Sequence, residues 1–169
     1  MSTHVLNSSQ AAAAITAILR DLPGRMGRDR PNSEWTRSLK EEIGNLGVRS
    51  EWKVSTSGFS NHFEQEWLYD LTWFRNDAEG YLCDVGLVLE SEWEHPYASI
   101  KQDFEKLLLA KSPLKVMVFE GYTKNLAAHL NSLKQGISAF RCKTASEIYI
   151  LAALNIDTFT FEIAQVAGG

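Results

Sequence analysis

The apolar positions of the chain fall into two spacings, one helical and one strand-like, that alternate from end to end. Ile15, Ile18, Leu19 and Leu22 share one side of a helix that Ser8 or Ser9 caps and that runs to Arg20, after a loose start over residues 1–8. Pro23-Gly24 is its expected stop, and a loop rich in Gly, Pro and Arg follows over 24–32. Ser33 opens a second helix to about Leu46, with Trp35, Leu39, Ile43 and Leu46 at helical spacing and Gly47 as its C′ residue. Residues 51–56 and 66–74 then read as strands, the second rich in Trp, Tyr, Leu and Phe. The turn signal at Asn76-Asp77-Ala78-Glu79-Gly80 joins 66–74 to a third strand, 81–93, as a hairpin. That third strand is apolar on both faces, with Val85, Leu87 and Leu89 on one and Gly86 and Val88 on the other, so it belongs in the middle of a sheet.

The second half repeats the alternation. Pro96 opens a helix over 97–111 whose buried stripe is Ile100, Phe104, Leu107 and Leu108, and Ser112-Pro113 ends it. The short apolar run 116–119 is a strand, so strand, helix and strand follow in the order of a parallel crossover. A helix over 123–135, closed by Gly136, and two strands at 147–154 and 158–166 complete the chain, with a turn at Asn155-Ile156-Asp157 and a loose end. The pattern predicts a single α/β domain over residues 1–169: a mixed (α+β) sheet in which an antiparallel meander feeds a parallel crossover.

Composition narrows the function classes. A length of 169 residues supports one full core, and 44% hydrophobic against 22% charged residues is a globular balance rather than a disordered one. The net charge of −4 argues against bulk attraction to nucleic acid. Locally the balance reverses: Arg20, Arg25, Arg28, Arg30, Arg37 and Lys40 face only Asp21, Asp29 and Glu34, a stretch that is either a solvated connection or a phosphate-contacting arm. Cys83 and Cys142 form no C-x-x-C pair, which fits a reduced cytoplasmic protein better than a disulfide framework or a zinc site. No apolar run is long enough to span a membrane, and the apolar stretch at 11–19 has no basic segment before it, so it reads as a helix and not a signal peptide.

The chemistry concentrates between Glu66 and Lys106. Glu90 and Glu92 lie two apart in an apolar strand and so share a face, and Asp70, on the neighbouring hairpin strand, falls beside Glu90. Carboxylates brought together this way repel unless a cation or protons intervene. Oxygen donors without His or Cys suit Mg²⁺ or Mn²⁺ rather than zinc. Such an ion polarises a phosphate and generates hydroxide from bound water, and a lysine nearby stabilises developing negative charge.

The order αβββαβ, with Leu68-Tyr69-Asp70-Leu71 on its second strand and Val88-Leu89-Glu90-Ser91-Glu92 on its third, resembles the PD-(D/E)XK nuclease superfamily, with a restriction-endonuclease-like core over about 33–120. The first helix, the last helix and the last strands are additions to that core. The resemblance implies a magnesium- or manganese-dependent hydrolase acting on DNA. Asp70 and Glu90 would be metal carboxylates, the Ser91 carbonyl a backbone ligand, and Glu42 the helix glutamate that some members add. The superfamily's motif lysine is replaced by Glu92, which, like Glu42, would be a further ligand and is itself a member of the catalytic set, and Lys106, on the following helix, is the candidate for a relocated lysine. A homodimer or a partner protein is compatible with the resemblance. So is a second reading, in which the lost lysine marks a catalytically inactive nuclease fold acting as a binding or interaction module.

Each residue also has a plainer reading. Asp70 would be a partly exposed edge residue or a buried acid paired with Lys or Arg, Glu92 a residue past the sheet edge, and Lys106 a solvated lysine paired with Asp103 or Gln102. Asp84 shares the strand parity of Glu90 and rivals it as a ligand. His95 reads as a loop histidine rather than a general base, and His62 lies in the loop before the Asp70 strand. Trp67, Trp73 and Trp93 read as core.

Overall fold

A computed structural model describes residues 6–59 and 63–169; His62 and the first five residues lie outside them. The elements occur in the expected order: α1 (Ser8–Met26), α2 (Asn32–Arg49), β1 (Lys53–Thr56), β2 (Leu71–Asn76), β3 (Leu82–Glu92), α3 (Tyr97–Leu109), β4 (Leu114–Gly121), α4 (Thr123–Ala139), β5 (Ile148–Asn155) and β6 (Thr160–Ala167). All six strands form one sheet in sequential order. The β1–β2, β2–β3 and β5–β6 pairs are antiparallel, whereas β3–β4 and β4–β5 are parallel.

Sequential order decides where the helices go. Each parallel step moves one strand along the sheet in the same direction, so right-handed crossovers put α3 and α4 on the same face. Ile100, Phe104 and Leu107 of α3 and Leu126, Leu133 and Ile137 of α4 pack there on Val88, Met117, Phe119 and Leu151. Helices α1 and α2 cover the other face, where Ile15, Leu19, Trp35 and Leu39 meet Leu71, Leu87, Leu89, Val116 and Ile150. The alternation of Leu87, Val88 and Leu89 between the two cores is the period-two pattern of a central strand with no solvent face.

Several boundaries differ from the sequence expectation. Asn7, not Ser8 or Ser9, caps α1: its Oδ1 accepts the Gln10 N–H at 2.9 Å while Gln10 Oε1 accepts the Asn7 N–H at 3.0 Å. The helix also runs through Pro23 to Met26, because Leu22 and Pro23 are both buried and that packing outweighs one missing bond near the helix end. Gly47 lies inside α2, which reaches Arg49. Its role is close approach: a Cβ there would stand 2.5 Å from Trp73 Nε1. Strand β2 begins only at Leu71, so Asp70 and the aromatic segment before it lie outside the sheet ladder. Among the described residues no helix is long and apolar enough to cross a membrane.

Candidate functional site

Strand β3 outruns its neighbour. The antiparallel ladder ends at the Leu71–Leu89 pair, so Glu90, Ser91 and Glu92 continue past the first residue of β2. An N–H left without a strand partner there needs an acceptor. Asp70 supplies it: Oδ2 accepts the Ser91 N–H at 2.8 Å and the Ser91 Oγ–H at 2.7 Å. The Asp70 backbone is held in turn by Thr56 Oγ1, which donates to its carbonyl at 2.6 Å. Asp70 is thus fixed on Ser91, the residue after Glu90, by its own hydrogen bonds rather than by strand pairing, and its charge is felt at Glu90.

Glu90 is the least solvated member, with only 3% of its surface exposed. Its partner comes from α3. Helical side chains lean toward the helix N-terminus, which sends Lys106 back over the end of β3. Lys106 Nζ stands 2.8 Å from Glu90 Oε1 and 2.9 Å from Asp103 Oδ1. The contact to Glu90 is an ion pair by distance. Among the described residues no donor is aligned on the buried Glu90 Oε1 for a hydrogen bond. Burial, reinforced by the charges of Asp70 and Asp103, pushes the Glu90 carboxyl up to about 7 against the pull of Lys106. Burial alone would lower the Lys106 ammonium, but the carboxylates of Glu90 and Asp103 close to it outweigh that and raise it.

A second lysine, which the sequence reading did not single out, reaches the site from the opposite face. Lys40 of α2 is only 5% exposed. Its Nζ donates to Glu66 Oε2 at 2.9 Å and to Ser57 Oγ at 3.0 Å, and lies 3.8 Å from Asp70 Oδ1. Burial opposes ionisation of Glu66, yet the bonds from Lys40 and Ser57 hold its carboxyl below the usual value. Asp70 and Glu90 are therefore bracketed by a lysine from each helical layer. Contact between Lys40 and Asp70 spans two elements, so no local spacing announces it; the only signal was a lysine beside the apolar stripe of α2.

The other candidates sit apart. Glu42 is paired with Arg25 of α1. It lies two residues from Lys40 on α2, about 200° around the helix, which turns it away from Asp70. Glu92 is half-buried and its Oε1 accepts the Glu94 N–H at 2.8 Å, closing the chain reversal after β3. Asp84 lies opposite Arg75 near the hairpin turn, six residues before Glu90. His95 Nε2 is 3.1 Å from Glu120 Oε1. Of the basic stretch, Arg28 donates to the Ile156 and Asp157 carbonyls at 3.1 and 3.2 Å, Arg30 pairs with Glu34, and Arg37 lies over Phe59.

Trp73 is core, as expected, and Trp93 is half-buried against Trp35 with its indole N–H donated to Thr36 Oγ1 at 2.8 Å. Trp67 departs from the expectation: it is 47% exposed.

The oxygen donors here are Asp70, just before β2, and Glu90 of β3, of the hard type that a small divalent cation takes. Among the described residues no group of three or more His, Cys, Asp or Glu is gathered for a metal. A cation here would accordingly rest on the Asp70–Glu90 pair, the unaligned Glu90 Oε1 and its own waters, the coordination habit of Mg²⁺. No protein-family model, no curated protein and no solved structure matches the chain.

Proposed function

We propose that the chain is a metal-dependent nuclease-like domain that hydrolyses phosphodiester bonds in DNA at the Asp70–Glu90 pair. The observation that carries this reading is the buried Glu90, held beside Asp70 at the end of a central strand with Lys106 2.8 Å away. The αβββαβ order of the residues from α2 to β4 and the resemblance to PD-(D/E)XK nucleases support it. Asp70 and Glu90 would hold Mg²⁺ or Mn²⁺ with the Ser91 carbonyl. When bound, the ion supplies a polarised phosphate and an acidified water. The chain's own groups do the rest. Ser91 fixes the Asp70 carboxylate through two bonds, so that one oxygen is oriented before any ligand arrives. Lys106, half-exposed and anchored by Asp103, is placed to neutralise negative charge developing on the phosphate oxygens. Lys40 balances the Asp70 and Glu66 carboxylates from the other side.

DNA as the substrate follows from the resemblance, and a homodimer or partner protein would supply the remaining grip on it. Free, exposed Cys83 and Cys142 suit a reducing compartment, the cytoplasm in this reading.

A second reading, an inactive nuclease fold serving as a binding module, is favoured by one feature. Glu92 stands at the motif lysine position and is already bonded to the Glu94 N–H. Calorimetric titration of Mn²⁺ and Mg²⁺ into the wild type, Asp70→Ala and Glu90→Ala, with plasmid cleavage on the same samples, separates the two. The nuclease reading expects binding and cleavage, both lost in the variants. Metal binding without cleavage would establish the inactive module. A folded wild type that binds neither ion with DNA present would overturn both.

A further inference from the structure

Beside the Asp70–Glu90 pair lies a groove that the phosphodiester chemistry does not use. The segment 67–69, outside the ladder of β2, folds over the uncovered end of β2 and β3 on the α3 face. Trp67, Leu68 and Tyr69 form one wall, and Leu82, Val85, Ala110 and Lys111 the other, around a cavity of about 180 Å³. Trp67 is braced from beneath by Phe74, with ring centroids 4.3 Å apart, and remains 47% exposed; Leu68 is 79% exposed and Leu82 53%. Exposed apolar side chains gathered along a concavity mark a binding surface rather than a core.

Two further observations specify the occupant. Thr72, which lines the groove, is only 3% exposed, and its Oγ1 has no hydrogen-bond partner among the described residues. A buried hydroxyl without a partner costs free energy that a ligand with a donor or acceptor edge would recover. The groove also borders the candidate site through Tyr69. Tyr69 precedes Asp70 in the chain, and its hydroxyl lies 3.5 Å from the Lys106 carbonyl. Lys111 lines the cleft and is exposed, and the half-exposed Lys106, held by Glu90 and Asp103, stands in the neighbouring site. The ligand that fits has a flat apolar ring, a hydrogen-bonding edge and negative charge beside the ring.

Resting on the nuclease reading of the neighbouring pair, we infer that this groove takes a single unstacked nucleobase of a DNA strand, stacked against Trp67 with its edge on Thr72 Oγ1, while the adjoining phosphate meets Lys106. A base inside a continuous duplex has both faces occupied by its neighbours and does not enter. The substrate class is therefore single-stranded DNA, or DNA with an unpaired end or bulge.

The test is fluorescence anisotropy of a short fluorescein-labelled oligothymidylate, alone and annealed to oligodeoxyadenylate, in EDTA buffer so that nothing is cleaved. Wild type is expected to bind the single strand more tightly than the duplex and more tightly than dTMP. Trp67→Ala is expected to weaken single-strand binding about tenfold or more. Thr72→Val keeps the side-chain shape and removes only the hydroxyl, and is expected to weaken it roughly threefold. Thermal melting of both variants confirms folding, and the Thr72 variant decides the matter if the Trp67 variant does not fold. Wild-type affinity in a folded Trp67→Ala overturns the inference, as does equal or tighter binding of duplex, equal binding of dTMP, or no binding at all. Mg²⁺-dependent cleavage of the same oligonucleotide is scored separately. Trp67-dependent binding without cleavage removes the nuclease reading and leaves the groove. Cleavage with Trp67-independent binding does the reverse.

Discussion

Lys106 Nζ lies 2.8 Å from the buried Oε1 of Glu90 while its other contact, Asp103, is a neighbour on its own helix. The ammonium thus joins α3 to the central strand and offsets the charge on Glu90. Replacing it by methionine keeps the aliphatic stem but leaves the carboxylate alone. That carboxylate escapes its loss by taking a proton, so the cost depends on pH. Lys106→Met is expected to lower unfolding free energy by about 1–3 kcal/mol at pH 8, and by clearly less at pH 5. Urea denaturation at the two pH values reads the difference; equal losses at both would show that Glu90 is not the group involved.

Glu90 itself titrates near neutrality in the folded protein, its carboxyl raised from 4.5 to about 7 by burial first and by its acidic neighbours after. A raised carboxyl means that the native state binds more protons than the unfolded chain between these values. Its favourable contribution is complete below pH 4.5 and is lost as pH rises through 7. Glu90→Gln, which cannot ionise, does not suffer that loss. In metal-free buffer the stability of the glutamine variant relative to wild type is expected to rise by about 1–3 kcal/mol from pH 5 to pH 8. A flat difference across that interval would contradict the assignment of the titration to Glu90.

The order of elements was legible because each segment carries a single period: the Ile100–Phe104–Leu107 stripe can only bury itself as a helix, and the two-faced apolar run around Val88 only as a central strand. Boundaries were less so. The aromatic run Glu66–Phe74 reads as one strand, yet its first half leaves the sheet, and what looked like a core tryptophan at 67 became an exposed wall. Pro23 and Gly47 are stop signals locally but are overridden by packing, in one case of Leu22 and in the other of Trp73. For the site, Asp70 reads as a strand residue but lies just before β2, held by its bonds to Ser91, and Lys106 is nominated only through the family resemblance. Lys40 and Thr72 were not legible, since their roles depend on contacts or burial created only when β1, β2 and α2 come together.

Lys115 illustrates a signal present in the sequence and easily read as a strand end. It sits in β4 at 1% exposure, opposite Tyr149 in the parallel register, and donates to Glu147 Oε2 at 2.9 Å and to the Tyr149 hydroxyl oxygen at 3.3 Å. Tyr149 in turn donates to Glu147. Burial works against ionisation of Glu147, but the bonds from Tyr149 and Lys115 hold its carboxyl below the usual range. Lys115→Met is expected to cost about 3–5 kcal/mol because it strands a buried carboxylate, whereas the double variant Lys115→Met with Glu147→Leu should recover most of that loss. Denaturant midpoints of the three proteins test this; a double variant no more stable than the single would refute the pairing as the source of the cost.

A divalent cation that binds the folded Asp70–Glu90 pair and not the unfolded chain must stabilise the protein by mass action. At a free Mn²⁺ concentration about five times its Kd the gain is about 1 kcal/mol, enough to shift a thermal midpoint measurably for a domain of this size. The shift is expected in wild type and to disappear in Asp70→Ala and Glu90→Ala. Glu42→Ala, which removes a carboxylate paired with Arg25 of α1, should retain it. Lys106→Met should enlarge it, since the ammonium and the cation compete for the same Glu90 oxygen. Differential scanning calorimetry with Mn²⁺ followed by EDTA reversal reads all five proteins. A shift that survives both Asp70→Ala and Glu90→Ala would place the cation elsewhere on the molecule. Loss of the shift in Glu42→Ala would return that glutamate to the metal set.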